Sequence, residues 1–292
     1  MGTARERFLY GVTTGGGPFA ARELRSAADL AGRPLDRVMW FEQFHSMPPL
    51  RAIDAVTAMG AQPVLTWEPW RWDRRPAPTM VMLHSGIYDD HLRRWARGLA
   101  GVATTVDVRF GHEFNGYWYP WSTAGGTSAA DYIGVWRRIH RIFQQEGATN
   151  VRWVWSPTAG LPGGPPLEAW FPGPAYVDVV GVDGYNWGTS QVWSSWVQPA
   201  ELFAQILDEV HAITGDMPVT ISEVGCAEAG GDKAEWIRSL VTYLCEQTDV
   251  DGLTWFEHDK ETDWRTTSSA RSAAAMAAAL SAAQRSPCSR AC

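Results

Sequence analysis

Short runs rich in apolar and β-branched residues recur along the chain every few tens of residues, and segments of helical periodicity lie between them. Eight runs read as strands: "FLYGVTT", "RVMWFEQF", "PVLTWEPW", "VDVRFGHEF", "VRWVWSP", "VDVVGVDGYN", "PVTISEVGC" and "DGLTWFEH". The intervening segments include "PPLRAIDAVTAMGA", "DDHLRRWARGLAGV", "SAADYIGVWRRIHRIFQQEGA", "PAELFAQILDEVHAITG" and "DKAEWIRSLVTYLCEQ", several of which end in Gly, the residue that tolerates a left-handed helix terminus. An Ala-rich segment, "SSARSAAAMAAALSAAQ", closes the series, and a polar tail follows from about residue 284. This alternation predicts an α/β fold, a single (β/α)8 TIM barrel over residues 1–292 with its site at the C-terminal ends of the strands. An open doubly wound sheet has fewer strands and reverses its strand order, a reversal for which the sequence offers no sign. The Pro/Gly cluster "AGLPGGPP" after the fifth strand reads as a loop of the barrel and not as a boundary.

Composition narrows the class of partner. A hydrophobic fraction of 45% with 20% charged residues suits a large core in a 292-residue chain, and no stretch reaches the length of a membrane span. The formal charge is -7, and only Lys233 and Lys260 are lysines among 25 basic side chains, a balance that disfavours nucleic acid and fits a neutral polymer. Seventeen tryptophans exceed what a core needs. Flat rings lining a groove suit a sugar, whose C–H face packs on aromatics while its hydroxyls seek polar partners.

The four cysteines have no zinc or redox spacing. Cys226 and Cys245 fit either a bridge or, better, two separate thiols, and Cys288 and Cys292 fall in the tail. Glu113 begins no H-E-x-x-H motif, because Gly116 stands where the second histidine would be, so no metal is expected. "TTGGGPF" lacks the Gly-Lys-Ser/Thr of a phosphate loop, and no cofactor is implied. The start "MGTARERFLYG" carries no cationic and apolar leader, so a secretory signal is either absent or already removed.

Acids and aromatics concentrate at the predicted strand ends: Glu42, Trp67, Glu68, His112, Glu113, Trp155, Asp183, Tyr185, Glu223, Trp255 and Glu257. Singly, Glu42, Glu68 and Glu257 read as well as helix caps or ion-pair partners as they do as site residues. Glu113 and Glu223 differ, since each ends an otherwise apolar run, "VDVRFGHE" and "PVTISE", where a charge needs a cavity or a partner. Two carboxyl groups facing each other across a groove are the equipment for cleaving a glycosidic bond, one donating a proton and the other attacking or activating water.

The run "RFGHEFNGYWYPW" with "TISEVG", supported by "TWEPW", "VDGYNW" and "WFEHDKETDWR", resembles glycoside hydrolase family 26, a family of retaining (β/α)8 β-glycanases. The resemblance spans nearly the whole chain. It implies that Glu113 is the acid/base and Glu223 the nucleophile. It implies further that His112 contacts the sugar and helps hold Glu113, and that Tyr185 bonds the nucleophile. Trp118 would shape the leaving-group side, Trp255 would form the floor under the reacting sugar, and Asn115, Trp67 and Glu68 would add substrate contacts. Mannan-cleaving members tend to carry Arg after the tryptophan of the eighth strand, whereas Phe256 stands here. The resemblance therefore leans to β-glucans, including mixed β-1,3/β-1,4 chains, with β-1,4-mannan as the alternative and an inactive carbohydrate-binding barrel as the rival of another class. A secreted monomer acting on a polysaccharide is the expectation.

Overall fold

Each of the eight apolar runs becomes a strand. In the computed structural model, which describes residues 7–73, 79–161, 163–247 and 249–285, the strands are β1 (Leu9–Thr14), β2 (Arg37–Gln43), β3 (Gln62–Glu68), β4 (Val106–Phe110), β5 (Val151–Trp155), β6 (Val179–Asn186), β7 (Val219–Cys226) and β8 (Val250–Glu257). They pair in parallel in sequence order, and β1 pairs with β8 to close the barrel. The helices are α1 (Ala21–Ala31), α2 (Leu50–Ala58), α3 (Met80–Ser85), α4 (Asp89–Ala100), α5 (Ala129–Gln145), α6 (Pro199–Thr214), α7 (Lys233–Glu246) and α8 (Ala270–Arg285). Cys288 and Cys292 lie outside the described residues, while Cys226 and Cys245 are free thiols.

Local chemistry sets the helix ends. Gly32 closes α1 in the left-handed conformation at φ 64°, and Asp232 caps α7 by accepting the Glu235 N–H at 3.1 Å. Two departures from the alternating pattern have equally local causes. Between β5 and β6 the described residues hold only a one-turn helix, Leu167–Trp170, because the Gly and Pro residues that precede it cannot sustain a longer one. The fourth strand stops at Phe110, earlier than its apolar run predicts, where Gly111 turns to φ 53°.

The pleat sends alternate side chains to the helices and to the barrel interior. On the helix side, Trp67 of β3 stacks on Trp95 of α4 with ring centroids 4.2 Å apart, and Trp153 of β5 meets Phe143 of α5 edge-on at 5.0 Å. Inside lie Thr66, Arg109, Ser156, Asp183 and Glu223, joined by hydrogen bonds across five successive strands or their ends. Trp67 is thus core, fully buried in the layer between sheet and helices, and the sugar contact expected of it is corrected: one position separates it from the inward Thr66 and Glu68.

Trp67→Ala leaves a cavity in that layer and is expected to lower unfolding stability by about 3–5 kcal/mol. Urea titration measures it, and a loss below about 1 kcal/mol would mean that the ring is not packed as described.

Candidate active site

Strand β4 supplies the organising residue. Its alternation, Val-Asp-Val-Arg-Phe, points Asp107 and Arg109 inward, and Arg109 is completely buried. The Arg109 guanidinium donates from Nη1 to both carboxylate oxygens of Asp183, at 2.6 and 2.8 Å, and from Nε to Thr66 Oγ1 at 3.0 Å. Nη2 donates to Glu223 Oε1. Burial opposes the charge on Arg109, but Asp183 and Glu223 outweigh it and hold the arginine firmly ionised. The other oxygen of Glu223 accepts the Tyr185 hydroxyl at 2.5 Å. Burial, and then the charge of Glu223, raise the Tyr185 pKa well above the ordinary phenol value, so the phenol keeps the proton it donates.

Glu113 occupies a different environment. Directly after Gly111 and His112, it adopts φ 51°, the one positive φ among the described non-glycine residues. A left-handed glutamate is sterically unfavourable, and this one is held by its N–H to the Ser156 carbonyl at 2.7 Å and by the Gly116 N–H to its own carbonyl at 2.9 Å. The carboxyl accepts the indole N–H of Trp118 at 2.7 Å and makes no ion pair among the described residues. Burial first, and the negative charge of Glu223 second, push its pKa up to about 8. Arg109 lowers it only in part, because that cation is engaged by Asp183 and Glu223 and Glu113 has no ion pair of its own.

Aromatic residues surround the pair. His112 is buried; burial and Arg109 both lower its pKa, so the imidazole is neutral. Its Nε2 lies 3.1 Å from the Tyr119 hydroxyl, and its Nδ1 has no protein partner. Phe256, Trp264, Tyr185 and Phe41 form an apolar wall, with Tyr185 edge-on to Phe256 at 5.6 Å and His258 stacked on Phe256 at 4.0 Å. Phe41 and His258 continue into a groove of about 770 Å³ bordered also by Thr13, Phe19, Glu42 and Trp72. This groove runs beside Glu113 and Glu223, not over them. Glu68 joins the two regions: it faces inward, feels the charges of Glu223 and Arg109, and accepts the Trp72 indole at 2.6 Å. Burial raises its pKa.

The structure therefore brings together Glu113, Glu223, His112, Trp118, Tyr185 and Glu68 of the residues singled out in the sequence. Trp255 is a correction. It is fully buried on the helix side of β8, edge-on to Trp236 of α7, and donates to the Trp264 carbonyl at 2.9 Å. Its neighbour Phe256 faces the site instead, because in a strand one position exchanges the two faces. Asn115 is the other correction: its amide donates to the Thr158 carbonyl and accepts the Thr158 N–H, both at 2.8 Å, which commits it to fastening the Glu113 loop. Arg109 escaped the reading from residue type and strand-end position, although the alternation of Val106–Phe110 signals it. Trp264 lies beyond the strand ends, where periodicity carries no information.

The family model described as glycosyl hydrolase family 26 matches residues 87–256, more than half of the chain. Endoglucanase H of Acetivibrio thermocellus is 34% identical over 275 residues, covering 90% of this chain and 29% of that protein. Mannan endo-1,4-beta-mannosidase A and B of Caldalkalibacillus mannanilyticus is 33% identical over 108 residues, covering 34% of this chain and 20% of that protein. The chain thus spans less than a third of the length of these curated relatives. Among solved structures, the catalytic domain of the Bacillus sp. JAMB-750 endo-beta-1,4-mannanase superposes with a TM-score of 0.69 at 15% identity, covering 95% of this chain and 86% of that one. The beta-mannanase BoMan26A of Bacteroides ovatus gives 0.64 at 17% identity, covering 97% and 90%. With its closed eight-stranded barrel and a match on this scale, the chain belongs to glycosyl hydrolase family 26.

Proposed function

We propose that the protein is a retaining, endo-acting β-glycanase that hydrolyses β-1,4 linkages, with mixed-linkage β-1,3/β-1,4-glucan as its preferred substrate. The observation that carries the reading is the electrostatic inequality of the two buried carboxyl groups. Glu223 is paired with Arg109 and hydrogen-bonded by Tyr185, the environment of an anion. Glu113 has neutral donors in place of a cation, the Trp118 indole and Thr158, and a raised pKa, the environment of an acid that is still protonated near neutral pH.

In this mechanism Glu223 attacks the anomeric carbon while Glu113 gives its proton to the departing glycosidic oxygen, and the sugar becomes an ester of Glu223. The Glu113 carboxylate then takes a proton from water. The oxygen of that water attacks the anomeric carbon and displaces Glu223, and two inversions amount to retention. His112 meets the Tyr119 hydroxyl and helps hold the segment that carries Glu113, and the half-buried Phe41 and Tyr185 offer ring surface to the sugar. The open groove bordered by Phe41, Trp72 and His258 suits an internal stretch of a polymer and hence endo action. A polymeric substrate in turn implies that the protein works outside the cell.

The choice of glucan is supported by the breadth of the similarity to Endoglucanase H, which covers 90% of the chain where the similarity to the mannosidase A and B covers 34%. Phe256, uncharged and facing Tyr185, also departs from the arginine that the resemblance to mannan-cleaving members would imply.

Five measurements test this. Incubation with barley β-glucan, β-1,4-mannan, xylan and carboxymethylcellulose is expected to release new reducing ends fastest from β-glucan, with the β-anomer formed first by NMR. Faster release from mannan would reverse the substrate choice, and binding without release would leave a carbohydrate-binding barrel. Glu223→Ala is expected to lower kcat by more than about a thousandfold on every substrate. Glu113→Ala is expected to slow polysaccharide cleavage by about a hundredfold to ten-thousandfold and the cleavage of aryl glycosides with very good leaving groups far less; equal losses would remove Glu113 from the role of acid. Activity on polysaccharide should fall as pH rises through the Glu113 pKa of about 8, since only the protonated form donates. The Trp118 N–H favours the ionised form of Glu113, so Trp118→Phe should move this alkaline limb to higher pH, and a move to lower pH would contradict the assignment.

A further inference from the structure

The apolar wall beside Glu223 does not end at Trp264. Trp264 lies 5.1 Å from Tyr185 and 4.7 Å from Trp187, both edge-on, and Trp187 lies 5.1 Å from Trp193. Burial decreases along this series: Trp264 is 1% exposed, Trp187 is half-buried and Trp193 is 63% exposed, next to a fully exposed Val192. A tryptophan and a valine presented together to solvent form an apolar patch that folding leaves uncovered.

The loop that presents them is tied down at many points. The Asn186 side-chain oxygen accepts the N–H of Gly188 at 3.1 Å and of Val197 at 3.2 Å, drawing the two ends of the loop together. Within it, Ser194 Oγ donates to the Gly188 carbonyl at 2.8 Å and Ser190 Oγ to the Trp187 carbonyl at 2.7 Å. From outside, Trp236 of α7 donates to the Val197 carbonyl at 2.8 Å, and the Thr189 N–H reaches the Ala229 carbonyl at 3.0 Å. Gly188 has φ 53°, and a Cβ there would stand 1.8 Å from that same carbonyl oxygen, so only glycine allows the approach. The ring of Trp193 is therefore displayed on a prepared support, which lowers the ordering cost of binding. Residues 187–198 contain no charged side chain, only hydroxyl, amide and apolar groups, a composition suited to a neutral, hydroxyl-bearing ligand.

We propose that Trp193, with Val192 beside it, forms an outlying subsite that stacks on a sugar of the same β-linked chain, beyond the sugars held at Glu113 and Glu223. The proposal rests on the reading of the protein as a β-glycanase and extends it. The half-buried rings of Tyr185 and Trp187, 6.3 Å apart, lead from Glu223 to the exposed Trp193, and this continuity points to the polysaccharide itself as the occupant.

Trp193→Ala and Trp193→Tyr are compared with the wild type on barley β-glucan and on an aryl glycoside of one or two sugars, with thermal unfolding as the check on folding. The subsite predicts that Trp193→Ala raises KM for β-glucan and lowers kcat/KM about threefold to tenfold. It leaves the short glycoside and Tm unchanged, and Trp193→Tyr retains most of the activity. An unchanged kcat/KM on β-glucan, or an equal loss on the short glycoside, overturns the proposal. Affinity electrophoresis through gels containing β-glucan separates this outcome from a failure of the parent reading. If the wild type releases no reducing ends yet is retarded by the polysaccharide, the hydrolase reading fails, and the subsite stands or falls on whether Trp193→Ala abolishes the retardation. If the wild type neither cleaves nor is retarded, both fall.

Discussion

The site depends on one buried cation. Arg109 enters the barrel interior from β4 and engages Asp183 of β6 and Glu223 of β7 with separate nitrogens, while its Nε reaches Thr66 of β3. An arginine with no exposed surface is costly unless nearly all its donors are met, and here three other strands and the end of β5 converge on it. Its planar fork addresses the two carboxylates with separate nitrogens in fixed directions and leaves Nε for Thr66. Packing of the barrel interior from β3 to β7 and the electrostatics of the site are consequently one arrangement: two of the strands that meet at Arg109 bear Asp183 and Glu223.

The remaining carboxyl follows from this balance. Buried, beside Glu223 and without a cation of its own, Glu113 resists ionisation. The backbone contributes as well. Glu113 reaches its position only by a left-handed turn just after β4 ends, and the surroundings secure that turn through Ser156, through the Asn115–Thr158 pair and through the Trp121 indole on the His112 carbonyl at 2.6 Å. Unfavourable local geometry of this kind persists where neighbouring contacts over-determine it, and here it places an acid beside an anion.

Tryptophan does two different jobs in this molecule. Trp67, Trp95, Trp153, Trp236 and Trp255 fill the layer between sheet and helices, where their area counts toward stability. Trp72 and Trp118 stand more than 40% exposed, each tethered through its indole N–H to a buried carboxylate, Glu68 and Glu113 respectively. The tether fixes the plane of an exposed ring and at the same time favours the charged form of the acid beneath it.

The amino-acid sequence by itself determined the eight strands, the barrel they imply, and the prominence of Glu113 and Glu223, because period-2 runs and acids at the ends of apolar strands are local signals. It determined the family through "RFGHEFNGYWYPW" and "TISEVG" as well. Tertiary structure alone decided which member of each adjacent pair faces inward: Phe256 and not Trp255, Thr66 and Glu68 and not Trp67. It also decided that Asn115 serves the loop, that Arg109 serves Glu223, and that Trp264 and Trp187 complete the wall. The reason is physical. A residue's preference for strand or loop is written in its immediate neighbours, but its face depends on barrel closure and on register shifts such as that between Val182 and Asp183, and its partners lie dozens of residues away along the chain.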